Sequence, residues 1–225
     1  MGEEMVVSKK NKPKKAALSS APEKSTLENN EEEIMSFLSP KREVDLKIKK
    51  AFEEADDVFS VILALPKEDY ETCYTRLAKY ITEGDSNVIY VTMNKDSSDL
   101  IRELEKEKVD LNKVVFVDAV TKMISGRQLQ GKQFTYLDSP SNLLEIIIAV
   151  EKEVKKVPEG KAFVIFDSIN TLLIYNPEVV VEKFIHSLSQ KTKDWGCKSV
   201  FLATKGTNEA FVSALAQFFD DILSL

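Results

Sequence analysis

A chain of 225 residues, 43% of them hydrophobic, can build one sizeable domain with a tail and needs no disulfide or metal staple to close its core. A net charge of −6 and a pI near 5.1 exclude a nucleic-acid footprint spread over the whole domain. Cys73 and Cys197 are too few and too far apart for a disulfide framework or a zinc site, and no apolar run approaches the roughly 20 residues that span a bilayer.

The start of the chain is polar and lysine-rich, without the apolar stretch of a secretory signal, and Val6 stands where a myristoylation motif wants Ser or Thr. A reduced, cytoplasmic protein is the expectation. Residues 1–43 read as a disordered charged tail: Lys9, Lys10, Lys12, Lys14 and Lys15 form a basic block, and a mostly acidic stretch runs from Glu28 to Glu33. Blocks of like charge repel and stay solvated. The alternative use of such a tail is an electrostatic tether to nucleic acid, a membrane or a partner. "EIMSFLSP", Glu33 to Pro40, is its one apolar island.

From Val44 to the end, apolar runs alternate with charged amphipathic stretches. "DLKIKKAFEEA" suits a helix, followed by "VFSVILAL" as a strand, "EDYETCYTRLAKYITEG" as a helix and "NVIYVTM" as a strand. "SSDLIRELEKEKV" is the next helix and "KVVFVDAV" the next strand. "TKMISGRQLQGKQFTYLDSP" breaks the pattern and reads as a hairpin or irregular insertion. The alternation resumes with "SNLLEIIIAVEKEVKKV", "AFVIFDSI", "EVVVEKFIHSLSQKTKDWG", "KSVFLAT", "NEAFVSALAQF" and a short final strand "DDILSL". Ser141 or Asn142 suits a helix start, while Gly84 and Gly196 suit left-handed helix ends. Continuous Val/Ile/Phe runs imply strands covered on both faces, so the expected fold is an α/β three-layer, doubly wound, mostly parallel sheet over residues 44–225.

The most telling segment is "KAFVIFDSINTLLIYNPEVVVEKFIHSLSQKTKDWGCKSVFLAT", Lys161 to Thr204. A buried strand ends in Asp-Ser, an apolar turn follows, then a long helix, a Trp-Gly stop and another buried strand. This resembles the Walker B half of the RecA/KaiC-like ATPase superfamily, and the resemblance extends more weakly over Val58 to Leu225. It implies a RecA/KaiC-like core, a bacterial or archaeal source given the Lys/Glu/Ile-rich composition, and a role for Asp167 beside the magnesium of a bound nucleotide. A hard cation wants oxygen ligands at the carboxyl edge of a sheet. Read locally, Asp167-Ser168 equally suits a cap after a buried strand.

Two parts of that machinery are missing. A phosphate loop needs G-x-x-x-x-G-K-[ST], glycines for close backbone approach and a lysine for the phosphates. The matching place holds Leu65-Pro66-Lys67-Glu68-Asp69-Tyr70-Glu71-Thr72. Aligning the helices sets Glu71 near the lysine position and Thr72 near the hydroxyl position, so Thr72 and Asp167 are the vestigial cofactor-binding pair. Glu68, Asp69 and Glu71 carry negative charge to where a triphosphate would sit, and Pro66 removes an N–H donor. The second missing part is the carboxylate pair that the resemblance implies after "NVIYVTM". Asn94 and Lys95 stand there, and Asp96 reads better as a helix cap.

"GRQLQGK", Gly126 to Lys132, fits the phosphate-loop pattern but is followed by Gln133 and does not link a strand to a helix. Its Lys122, Arg127 and Lys132 surroundings suit a basic loop that meets a partner. His186, Ser168 and Trp195 lack the neighbours of a metal site, a nucleophile elbow or a stacking platform, and Thr204 sits where the resemblance implies a sensor of the γ-phosphate. The leading expectation is a catalytically inactive domain, a pseudo-ATPase without cofactor, working as a regulatory or protein-interaction module with a protein partner or further copies of itself. The alternative is a divergent ATPase using Asp167 and an unconventional loop to hold ATP and magnesium. A third reading is a nucleic-acid-associated accessory protein acting through the basic tail.

Overall fold

The computed structural model describes residues 40–53, 55–206 and 208–224. The charged tail and most of the island Glu33–Pro40 lie outside the described residues. Helix α1 (Pro40–Glu53) opens the described chain, so residues 40–43 belong to a helix and not to a tail.

Strand β1 (Phe59–Leu65) leads into α2 (Tyr70–Glu83), and β2 (Asn87–Thr92) into α3 (Ser97–Lys106). A short 3₁₀ turn precedes β3 (Val114–Asp118), which is followed by a single helical turn, α4 (Thr121–Ile124), and β4 (Phe134–Tyr136). Then come α5 (Leu143–Val154), β5 (Ala162–Asp167), α6 (Ile169–Tyr175), α7 (Glu178–Asp194), β6 (Lys198–Thr204), α8 (Glu209–Leu215) and β7 (Asp221–Ser224). The strands form one seven-stranded sheet in the order β4-β3-β2-β5-β6-β1-β7, and every pairing is parallel.

Both faces of the sheet are covered, which is why the strands read as continuous apolar runs rather than alternating ones. Side chains of one strand still alternate between faces. Val61, Leu63 and Leu65 of β1 join Tyr90 and Phe116 under α1, α2 and α3, with Ile48, Leu77 and Leu104 among the helix contributions. Ile62 points the other way and joins Ile89, Val117, Phe166 and Phe201 under α5, α6, α7 and α8.

The winding reverses in the middle of the sheet. From β2 the chain moves outward to β3 and β4, returns through α5 to β5, and then proceeds the opposite way to β6. Register sets Thr92 of β2 level with both Asp118 of β3 and Asp167 of β5. The carboxyl ends of these strands therefore meet at the place where open parallel sheets receive ligands.

Three local expectations need correction. The segment after β3 is not a hairpin: β4 enters parallel to β3, with Phe134 level with and stacked on Phe116 at 5.5 Å between ring centroids. Residues 119–133 are long enough to run back along a five-residue strand and re-enter in the same direction. The apolar turn after Asp167 is the seven-residue helix α6, with Ser168 as its cap. Gly84 has φ −78°, so α2 ends without a left-handed residue, whereas Gly196 at φ 69° ends α7 as expected.

Candidate functional site

The turn between β1 and α2 is short. Pro66 to Asp69 carry the chain from strand to helix, with the N–H of Cys73 closing on the Asp69 carbonyl at 2.9 Å. Lys67, Glu68 and Asp69 are exposed, and Asp69 occupies the cap position without a side-chain capping bond. A shallow cleft of about 720 Å³ lies in front of this turn, lined by Pro66, Lys67, Glu68, Lys205 and Gly206.

Behind the turn, Asp167 ends β5 with no exposed surface. Each of its carboxylate oxygens accepts from a tyrosine. Tyr70, the first residue of α2, donates to Oδ1 at 2.6 Å, and Tyr90 from the middle of β2 donates to Oδ2 at 2.9 Å. Burial pushes the Asp167 carboxyl above the usual carboxylate range, opposed by the two tyrosine bonds and by Lys95. Burial, with the Asp167 charge next in size, holds both phenols well above their ordinary range. The three groups form a unit in which a buried anion is solvated by protein hydroxyls instead of water.

A second layer covers this unit. Tyr74 lies one helical turn beyond Tyr70, their rings edge to face at 5.8 Å, and Tyr74 meets Tyr90 in the same way at 6.1 Å. Tyr74 donates to Glu103 Oε2 on α3. The Lys95 ammonium donates to Glu103 Oε1 at 2.5 Å and to the Tyr74 hydroxyl at 3.1 Å, and stands 3.8 Å from Glu71 Oε2. Burial, then the bond to Glu103, raises the Tyr74 phenol as well. The crevice at the winding reversal is thus filled by three tyrosines and closed by a lysine–glutamate clasp.

Asp118, at the end of β3, is the other buried acid here. It accepts from the backbone N–H groups of Ser97, Val120 and Thr121 at 3.0, 2.9 and 2.8 Å, from the Thr121 hydroxyl at 2.5 Å, and from the Ser97 hydroxyl. These bonds tie the start of α3 and the turn after β3 to one carboxylate, leaving it saturated.

The sequence-derived residues are distributed unevenly over this site. Asp167 is at its centre. Thr72 sits half-buried in the first turn of α2, its carbonyl accepting from the Thr75 hydroxyl at 3.1 Å, and the hydroxyl that reaches Asp167 comes from Tyr70 instead. Glu71 points outward, with 55% of its side chain exposed. Asp96 caps α3 by accepting from the Asp99 N–H at 3.0 Å, and Asn94 is exposed. The Thr204 N–H donates to Asn170 Oδ1 at 2.7 Å. Lys122 pairs with Asp138 at 2.6 Å, and Arg127 and Lys132 are exposed on the segment before β4, so the Gly126–Lys132 motif opens onto a strand and not a helix. His186 stacks on Phe218 at 4.2 Å.

Tyr70 stands in the stretch aligned with a phosphate loop, but the pattern of that loop assigns no role to it or to Tyr74 and Tyr90. Their signal was present: Tyr70 and Tyr74 share a helix face, and a tyrosine inside an apolar strand needs a partner for its hydroxyl. A magnesium-bound triphosphate does not fit these residues. It would need oxygen atoms of Asp167 that already accept from Tyr70 and Tyr90, and glycine amides where Pro66 and three acidic side chains stand. Among the described residues no three His, Cys, Asp or Glu side chains gather to hold a metal ion, and no helix is long and apolar enough to cross a membrane.

The family model of DUF7504, a family of unknown function, matches residues 61–225. No curated protein matches the chain.

Proposed function

The chain belongs to the DUF7504 family, whose function is unknown, and we propose that it is a catalytically inactive RecA/KaiC-like domain serving as a protein-interaction or regulatory module. One observation carries this reading: both oxygens of Asp167, the residue that would face magnesium, are occupied by tyrosine hydroxyls, one of them supplied by the helix that follows the would-be phosphate loop. The parallel winding supports the descent, since the β1–α2 turn and Asp167 share one edge of the sheet. The filling of the crevice supports the loss of activity, because ligand entry would require expelling buried aromatic rings and leaving a buried carboxylate without partners.

Titration calorimetry of the full chain with ATP, with and without magnesium, tests it. The expected result is no magnesium-dependent heat at millimolar nucleotide. Micromolar, magnesium-dependent binding overturns the inactive reading and favours the divergent ATPase, for which Asp167→Ala must also abolish turnover. The nucleic-acid reading rests on the basic tail outside the described residues and on the loop bearing Arg127 and Lys132.

A further inference from the structure

The edge of the sheet where the parallel strands begin carries a second cavity, at the other end of β5 from Asp167. About 400 Å³ in volume, it opens between the ends of α1 and α2 and the starts of β1, β5 and β6. Small-molecule sites fall in the range of about 300–1,000 Å³. Its floor is aromatic. Phe52, near the end of α1, stacks on Phe59, the first residue of β1, at 5.6 Å between ring centroids. Phe163 of β5 meets both rings edge to face, at 6.1 and 5.8 Å, and Tyr80 of α2 lies against Phe52 at 6.4 Å.

Three polar side chains line the same cavity: Tyr80, Ser86 just ahead of β2, and Lys198, the first residue of β6. All three residues are half-buried, and among the described residues the hydroxyls and the ammonium make no hydrogen bond or ion pair. Register explains why Lys198 stands out. It is level with Phe59 on one side and Phe163 on the other, so its side chain leaves the sheet on their face, where Val200 and Leu202 of the same strand are buried. An apolar residue would complete that row; a lysine brings a charge to the cavity instead. Other lysines at this edge are engaged: Lys161 pairs with Asp85, and Lys113 donates to the Thr82 and Gly84 carbonyls at 2.7 and 2.8 Å. Glu83, the acid among the described lining residues, pairs with Lys79 at 3.6 Å and has 67% of its side chain exposed.

An ammonium and two hydroxyls able to donate are complementary to a carboxylate, which only accepts hydrogen bonds. The rings beneath them suit a flat apolar body. We propose that this cavity binds a small aromatic carboxylate, its ring on Phe52, Phe59 and Phe163 and its acid group at Lys198. The site goes beyond the interaction-module reading and shares no residue with the crevice around Asp167, so titration with ATP does not decide it.

Amide NMR spectra of the full chain, titrated with hydrocinnamate, are the measurement. The expected result is a saturable set of shifts centred on Phe52, Ser86 and Lys198, with a sub-millimolar dissociation constant. The uncharged amide of the same acid is expected to bind about tenfold more weakly or worse. Lys198→Met keeps the stem of the side chain and removes the charge, so it should weaken the acid about tenfold and leave the amide as it was, whereas Lys198→Arg retains the preference for the acid. Shifts that do not saturate, or that centre elsewhere, overturn the proposal. So does equal affinity of the wild type for acid and amide, a comparison that needs no variant to fold. A Lys198→Met protein with an unchanged melting temperature that binds the acid as tightly as the wild type overturns it as well.

Discussion

Asp167 is stable in its place because two hydroxyls replace its water, and this arrangement has a pH signature. Its pKa is raised in the folded protein, chiefly by burial, so folding binds a proton more readily than unfolding does. A raised folded pKa means that the stability tied to protonation is fully present below the unfolded value and is lost as pH rises through the folded one. Asp167→Asn keeps the size of the group and removes the charge. The melting temperature of the wild type relative to this variant is therefore expected to rise as pH is lowered from neutrality toward the ordinary aspartate range. A difference independent of pH in differential scanning calorimetry contradicts a buried charged group. Removing one hydroxyl is a distinct test: Tyr70→Phe leaves one oxygen of a buried carboxylate without its donor and is expected to cost about 1.5–3 kcal/mol, read from urea unfolding.

At the scale of elements, most of the fold was legible. Unbroken runs such as "VFSVILAL" and "AFVIFDSI" announce strands buried on both faces, and Asp96 and Asn142 stand in their capping positions because short polar side chains satisfy the first free N–H groups. What the sequence left open depends on phase and path. Placing Glu71 or Tyr70 toward Asp167 is a matter of one residue, and one residue turns a helix by about 100°. The direction of β4 is set by where residues 119–133 lead the chain, which three strand residues do not encode. Gly84 and Gly196 show the same limit, since both follow amphipathic helices but only Gly196 is left-handed. Gly196→Ala is expected to lose about 1–2 kcal/mol, because a Cβ at positive φ meets its own backbone. Gly84→Ala, at negative φ but with its new Cβ 3.3 Å from the Ile81 carbonyl, should lose less. Equal urea midpoints for the two variants would contradict these backbone assignments.

For the molecule as a whole, the two covering layers leave little chemistry accessible inside. Cys73 lies under one helical layer and Cys197 under the other, both unpaired, and burial pushes each thiol up to about 11. A thiol-specific chromogenic reagent at neutral pH is expected to find neither in the native protein and both after unfolding. Rapid labelling of one cysteine would mean that its layer opens on its own. The all-parallel sheet also orders events in time. Strand β1 pairs with β6 on one side and β7 on the other, and with no strand close to it in the chain. During synthesis at roughly 5–20 residues per second, the first strand made waits on the order of ten seconds before its neighbours leave the ribosome. Through that interval "FSVILAL" is an apolar strand with two open edges, so the nascent chain depends on α1, α2 or a chaperone to shield it. The strand that begins the sheet is the one whose pairing finishes it.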